Sequence, residues 1–221
     1  MSGDIRLLIV DDQELVRYGF RLVLDAEPDM TVVGEAAEGG HALEAAHRLR
    51  PDVVLMDVRM PGVGGIEATR RITSLLPDTR VLVLTTFDLD EYAFGALRAG
   101  ASGFLLKDTR PAELTGAIRA VNAGDAVVSP RITAKLIEVG TPHLAGDPAP
   151  AAASALDTLT PREREVLRLI GLGATNGEIA STLHLSESTV KAHVGRVLLK
   201  QGLRDRVQAV ILAYELGIVG R

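Results

Sequence analysis

Residues 53–68 read VVLMDVRMPGVGGIEA. Four apolar residues run straight into an aspartate, a Pro-Gly turn follows, and an amphipathic stretch takes over; this is the written form of a strand, a loop and a helix. The apolar run is continuous rather than alternating, which predicts a strand covered on both faces, as strands of a parallel sheet are. The same form recurs at LLIV (residues 7–10) and VLVL (residues 81–84). Working outward from it, candidate strands fall at Ile5 to Val10, Thr31 to Glu35, Val53 to Met56, Val81 to Thr85 and Gly103 to Leu106. Helical patterns near 13–26, 41–49, 65–75, 90–99 and 111–123 separate and follow them, several stopped by Pro28, Pro51, Pro77 or Gly100. The first 124 residues therefore read as a doubly wound α/β domain whose ligands would sit at the carboxyl ends of the strands.

The remainder has another character. Ser129-Pro130 opens a helix to about Val139, and Gly140 to Ala155 is a Pro- and Ala-rich linker too poor in large apolar groups to build a core. We divide the chain into a domain at 1–124, a linker helix and flexible linker at 125–157, and an all-helical domain at 158–221. In that last part, Thr160-Pro161-Arg162-Glu163 reads as a capping box starting a helix to Leu172. Asn176 is expected to cap a short helix to Leu183, Ser186 a longer one to Lys200, and Asp205 a final one to Leu216. Four helices with a corner of helix-turn-helix length at Leu183 to Ser186 follow.

Charge separates the two halves more than their lengths do. Residues 156–221 hold nine Lys and Arg against seven Asp and Glu, whereas residues 1–155 hold fifteen against twenty-two. The chain has no cysteine, which removes disulfides, thiol nucleophiles and Cys-ligated zinc together and suits a reducing cytoplasm. The five histidines show no zinc-ligand spacing, and no run of about 18 apolar residues or signal-like leader is present. Membrane insertion and secretion are not expected.

The acidic half carries a constellation. Asp11 and Asp12 follow the first strand, Asp57 the third, Thr85 ends the fourth and Lys107 follows the fifth. A single strand-end aspartate is ordinarily a turn or helix cap; five such groups converging on one sheet edge are another matter. Clustered carboxylates repel and need a cation, and hard oxygen donors with room for water favour Mg²⁺. Two metal-binding acids, a further carboxylate, a hydroxyl donor and an ammonium are what phosphoryl transfer onto a carboxylate requires, with Asp57 as the nucleophile. Aspartyl-phosphate hydrolases carry a second acid two residues after the nucleophile; Arg59 stands there, so repeated turnover on outside substrates is disfavoured and the chain is expected not to be an enzyme. No phosphate-binding glycine loop is present.

On the Ser186 to Lys200 helix, Val190, Val194, Val197 and Leu198 form one stripe, to be buried, and Ser188, Lys191, Ala192 and Gly195 share another face. Small residues with one lysine suit close approach to a DNA major groove, and Arg196, Lys200, Arg204 and Arg206 lie around them. Val207, Val210, Ile211 and Tyr214 on the final helix make an apolar stripe that a small domain could share with a second copy.

IRLLIVDDQ (5–13), VVLMDVRMPGVGGIEA, VLVLTTF (81–87) and GFLLKD (103–108) resemble the receiver domain of two-component response regulators. Residues 159–217 resemble the LuxR-type DNA-binding domain, and together the two resemble the NarL/FixJ family. The resemblance implies a flavodoxin-like sheet of order 2-1-3-4-5 and a cytoplasmic transcription regulator phosphorylated on Asp57 by a sensor histidine kinase. It implies Mg²⁺ held by Asp12, Asp57 and the backbone carbonyl of Arg59, with Asp11 acting through water. Thr85 and Lys107 would receive the phosphoryl group, and Phe104 would be the switch aromatic. Arg59 and Phe87 would govern water access and hence the lifetime of the acyl phosphate. In the DNA-binding helix, Lys191 and Ala192 would touch bases and Thr189 and nearby basic groups phosphates; Ser188, Arg196 and Lys200 complete the expected contact set on double-stranded DNA. Gly195 departs from relatives that carry a basic side chain there. A phosphorylation-dependent homodimer through Val207, Val210, Ile211 and Tyr214 is expected, with RNA polymerase a further candidate partner. Whether the receiver masks the DNA-binding helix stays open.

Overall fold

The computed structural model describes residues 4–85, 95–124 and 156–219, and the chain divides into two compact units, Met1–Ser129 and Pro130–Arg221. The helix expected after Ser129, the Pro- and Ala-rich linker, Phe87 and the first part of the 90–99 helix lie outside the described residues.

The first unit alternates strand and helix: β1 Ile5–Val10, α1 Glu14–Leu24, β2 Met30–Ala36, α2 Gly39–Leu49, β3 Val53–Asp57, α3 Gly65–Leu75, β4 Arg80–Thr85, β5 Gly103–Leu106 and α4 Pro111–Asn122, with residues 95–98 also helical. The five strands form one parallel sheet in the order β2-β1-β3-β4-β5. Every residue of β3 is buried, as its continuous apolar run requires. The pleat sends alternate residues to opposite faces. Leu7, Ile9, Leu55, Leu82 and Leu84 pack with Leu24 of α1 and Leu114, Ile118 and Val121 of α4. Leu8, Val54, Met56 and Val83, of opposite parity, are equally buried.

Register places the chemistry. Val10 pairs with Met56, Asp57 with Leu84 and Thr85 with Leu106, so the carboxyl ends of β1, β3, β4 and β5 form one edge. Between Leu7 and Leu8 the β1–β2 register shifts, and beyond it Ala36 comes level with Val10, so that the Asp11 N–H donates to the Ala36 carbonyl at 3.1 Å.

The second unit contains α5 Pro161–Gly171, α6 Asn176–Leu183, α7 Glu187–Gln201 and α8 Arg206–Glu215 around a core that includes Val166, Ile170, Ile179, Val190, Val197 and Ala213. Thr160 and Glu163 form the expected capping box, and Ser186 and Asp205 cap their helices through their side chains. Asn176 is a correction: the cap of α6 is Thr175, whose hydroxyl accepts from the Glu178 N–H while Glu178 reaches back, and Asn176 is the first helical residue. A threonine with glutamate three residues on satisfies two terminal N–H groups, which a lone asparagine does not. The corner between α6 and α7 turns through His184 in the left-handed region, and the Leu185 N–H closes it onto the Ala180 carbonyl.

A buried acid braces α5 to α7. Glu163 accepts from the Lys200 ammonium at 2.7 Å and from the Thr160 N–H at 2.8 Å, while only 3% of its side chain is exposed. Lys200 first, then the Thr160 backbone, hold its carboxyl at about 2, below the ordinary 4.5. A depressed folded value means that the ionised group stabilises the fold above the unfolded pKa, and that this contribution is lost as pH falls from 4.5 toward about 2. Glu163→Gln is expected to cost the helical unit roughly 1–3 kcal/mol at neutral pH and to flatten its acid unfolding limb. Thermal unfolding from neutral to about pH 3 measures it, and parallel pH curves for wild type and variant would refute it.

Candidate phosphoacceptor site and DNA-binding helix

Because β1 ends at Val10 and β5 at Leu106, Asp11, Asp12 and Lys107 emerge where Asp57 and Thr85 close their own strands. Carboxylate oxygens of Asp11, Asp12 and Asp57 lie within 4.8 Å of one another. Asp11, Asp57 and Thr85 are buried, whereas Asp12 faces solvent. The Lys107 Nζ stands 2.6 Å from Asp11 Oδ2 and 3.0 Å from Asp57 Oδ2. Its backbone N–H donates to the Thr85 carbonyl at 2.7 Å, which ties the hydroxyl-bearing and ammonium-bearing strand ends together.

The electrostatics follow from this crowding. Burial pushes the Asp57 carboxyl above its ordinary value, with the Asp11 charge adding to it, and the Lys107 ammonium and Arg59 N–H offset only part of the rise. Burial works against the Lys107 ammonium too, but hydrogen bonds and charge from Asp11 and Asp57 outweigh it and hold the lysine above its ordinary range. Asp57 is thus a buried carboxylate kept beside a permanent cation.

The donor set fits a hard divalent ion. All its donors are oxygens, two of the acids are buried, and the third opens the site to water, as Mg²⁺ prefers. Asp11 is the least available of the three, since Oδ1 accepts from the Gln13 N–H at 3.0 Å and Oδ2 is paired with Lys107. Asp12 and Asp57 are the two acids that could hold an ion directly.

Several contributors escaped the sequence reading. A Cβ on Gly65 would stand 1.9 Å from the Asp57 carbonyl oxygen, so α3 begins against the strand end only because that residue is glycine. Gly39 meets the Val63 carbonyl equally closely, at 2.2 Å from such a Cβ, and donates its N–H to the same oxygen. The Gly64-Gly65 pair was the available signal; Gly39 had none. Phe104 is fully buried on β5 beside Val83, and the Arg59 side chain is exposed.

On α7, Val190 and Val197 are buried and Val194 and Leu198 half-buried, as the stripe predicted. Lys191, Ala192, Gly195 and Arg196 are exposed, and nothing lies within 4 Å of a Cβ built on Gly195. Ser188 and Thr189 gather their hydroxyls on the Ser186 cap, at 2.9 and 2.8 Å. The Lys200 ammonium holds Glu163, which ties its partly exposed side chain to α5. Arg206 is likewise engaged within the unit, on Asn176 and the Ala174 carbonyl. Of the α8 stripe, Val207 and Ile211 are buried within this chain, while Val210 and Tyr214 pack half-buried against the helical core and keep exposed surface.

Residues 7–119 match the response regulator receiver domain, and residues 157–213 match the luxR family of bacterial regulatory proteins. The chain is 47% identical over 215 residues to the transcriptional regulatory protein YxjL of Bacillus subtilis, with 97% of each covered. Among solved structures it is similar to the response regulator ChrA of a heme-sensing two-component system, at 33% identity and a TM-score of 0.54, covering 98% of this chain and 100% of that one. It is also similar to the response regulator RcsB in a complex with DNA, at 25% identity and a TM-score of 0.55, covering 96% and 99%. With both of its units matched in order, and with the acidic strand edge in the first and the helix-turn-helix in the second, the chain belongs to the two-component response regulators that join a receiver domain to a LuxR-type DNA-binding domain.

Proposed function

We propose that Asp57 takes a phosphoryl group from the phosphohistidine of a sensor kinase in the cytoplasm, and that the modified receiver changes how α7 meets promoter DNA. The observation that carries this reading is the Lys107 ammonium set between the buried Asp11 and Asp57 carboxylates, with Thr85 on the adjoining strand end. An Asp57 carboxylate oxygen attacks phosphorus, the P–N bond to the histidine breaks, and the imidazole leaves to take up a proton; an acyl phosphate remains. Mg²⁺, held by Asp12, Asp57 and the Arg59 carbonyl, would neutralise charge on the transferred group. Lys107 then pairs with the phosphoryl oxygens, and Thr85 donates to them. Those contacts exist only in the phosphorylated state, so they are what biases the receiver toward an active conformation.

DNA recognition falls to Lys191, Ala192 and Arg196, which are exposed on α7, with Thr189 and Ser188 at its first turn. Dimerisation on two half-sites accompanies it, with Val210 and Tyr214 the members of the α8 stripe that keep exposed surface. Lys191→Ala is expected to lower discrimination between operator and random DNA by ~1–3 kcal/mol at one or two base pairs. Competition binding at fixed salt reads this, and equal weakening on every sequence would count against a base contact. The reading as a whole is tested by promoter binding of the full chain with and without acetyl phosphate. Tighter binding after phosphorylation supports it; identical binding in the presence of a confirmed Asp57 adduct overturns it.

A further inference from the structure

Every polar atom of Asp11 is engaged. Its N–H donates to Ala36, its Oδ1 accepts from Gln13, its Oδ2 pairs with Lys107, and its carbonyl oxygen accepts from Arg17 Nη1 at 2.8 Å. The last partner holds the main chain rather than the carboxylate, through a long side chain reaching back from α1. Arg17 is itself fixed on its other edge, where Nε donates to Glu35 Oε2 at 3.2 Å, and the second oxygen of Glu35 accepts from Arg21 Nε at 2.6 Å. Glu35 stands on β2 in register with Ile9, so the clamp is anchored on the sheet, and the Arg17 side chain is only 15% exposed.

The consequence falls on the next residue. A peptide group is planar, so the direction of the Asp11 carbonyl fixes the orientation of the Asp12 N–H and the path into the Asp12 side chain. Asp12 is exposed and its carboxylate has no hydrogen bond among the described residues. What places it is the peptide behind it.

We propose that Arg17, held by Glu35 and Arg21, is a positioning residue for the Mg²⁺ site, because it locks the Asp11–Asp12 peptide and so sets where the Asp12 carboxylate stands. This rests on the Mg²⁺ reading given above. Magnesium demands near-ideal octahedral geometry, and loss of an outer partner that orients a ligand typically costs 10–100-fold in metal affinity. A surface ion pair with no such role would be worth little.

The test is a calorimetric Mg²⁺ titration of the full chain, unphosphorylated, beside urea unfolding of each variant. Arg17→Gln is expected to weaken Mg²⁺ by roughly 10-fold. Arg17→Lys, able to reach the Asp11 carbonyl or Glu35 but not both, should fall between it and wild type. Arg119→Gln supplies the control, since Arg119 makes a comparable network with Glu27 and Asp29 at the opposite end of the strands. It should lower stability and leave Mg²⁺ affinity unchanged. If Asp12→Asn loses Mg²⁺ while Arg17→Gln binds it like wild type, the Arg17 role is overturned and the metal site stands. If Arg17→Gln and Arg119→Gln weaken Mg²⁺ alike, the effect is general loosening and the positioning role is wrong. If Asp12→Asn binds Mg²⁺ as well as wild type does, the metal reading itself fails and takes the proposal with it.

Discussion

Asp57→Asn is expected to incorporate no phosphoryl group from acetyl phosphate or from a phosphorylated kinase, where wild type should approach one per chain, and its promoter binding should no longer respond to either donor. The reason lies in which of the three acids can attack. Asp11 has its oxygens committed to Gln13 and Lys107, and Asp12 lies in solvent without the neighbouring ammonium that Asp57 has. Asp57 alone combines a buried carboxylate oxygen 3.0 Å from Lys107 with a position on the strand beside Thr85. An asparagine amide of the same shape keeps the packing but offers neither the anionic nucleophile nor an oxygen that can become an acyl phosphate. The variant should therefore fold, and intact mass with peptide mapping is a clean readout. A phosphoryl group found elsewhere in Asp57→Asn, with promoter binding still responsive, would show that another residue carries the signal.

Lys107→Met is expected to be the most destabilising of the substitutions considered. It deletes the cation between two buried carboxylates and puts an apolar chain of similar length in its place, leaving Asp11 and Asp57 facing each other across less than 5 Å. Breaking a buried ion pair by removing one partner commonly costs 3–5 kcal/mol, and since Asp57 can take up a proton to relieve the repulsion we expect roughly 2–4 kcal/mol at about pH 8. The pH dependence has a definite sign. Asp57 already sits above its ordinary value, so the folded state binds its proton more tightly than the unfolded state, and stability falls as pH rises through that range. Removing Lys107 raises Asp57 further and carries the decline to higher pH. The deficit relative to wild type should thus be smaller at acid pH and grow as pH rises. Mg²⁺ should recover more stability in Lys107→Met than in wild type, because it replaces the missing positive charge in the native state alone. Urea unfolding at several pH values with and without Mg²⁺ measures all three; a deficit that ignores both pH and Mg²⁺ would mean that Lys107 contributes packing rather than charge.

The first unit was legible because its strands carry their environment in their composition. VVLM, LLIV and VLVL have no polar face, and a strand without one must be covered on both sides. Once that sheet is parallel, each strand's carboxyl end lies at the same edge, and Asp11, Asp12, Asp57, Thr85 and Lys107 come together without any knowledge of their contacts. The cap of α6 was misread because Asn176 and Thr175 are both capping residues. The choice depended on which of them had Glu178 three residues ahead.

What the sequence by itself determined is the periodic and additive part: burial pattern, strand and helix order, the acidic edge, and the α7 stripe of Val190, Val194, Val197 and Leu198. What only the tertiary structure decided is the use of long cationic side chains. Arg17 reaches from α1 to a carbonyl at the end of β1, Lys200 reaches from α7 to Glu163, and Arg206 reaches from α8 to the start of α6. From the sequence, Lys200 was an expected DNA contact and Arg206 a basic group near the recognition helix, and neither partner could be read. The physical reason is that periodicity reports which face of an element is apolar, whereas an arginine or lysine extends beyond its own element, and the carboxylate or carbonyl it finds there is set by how the elements pack.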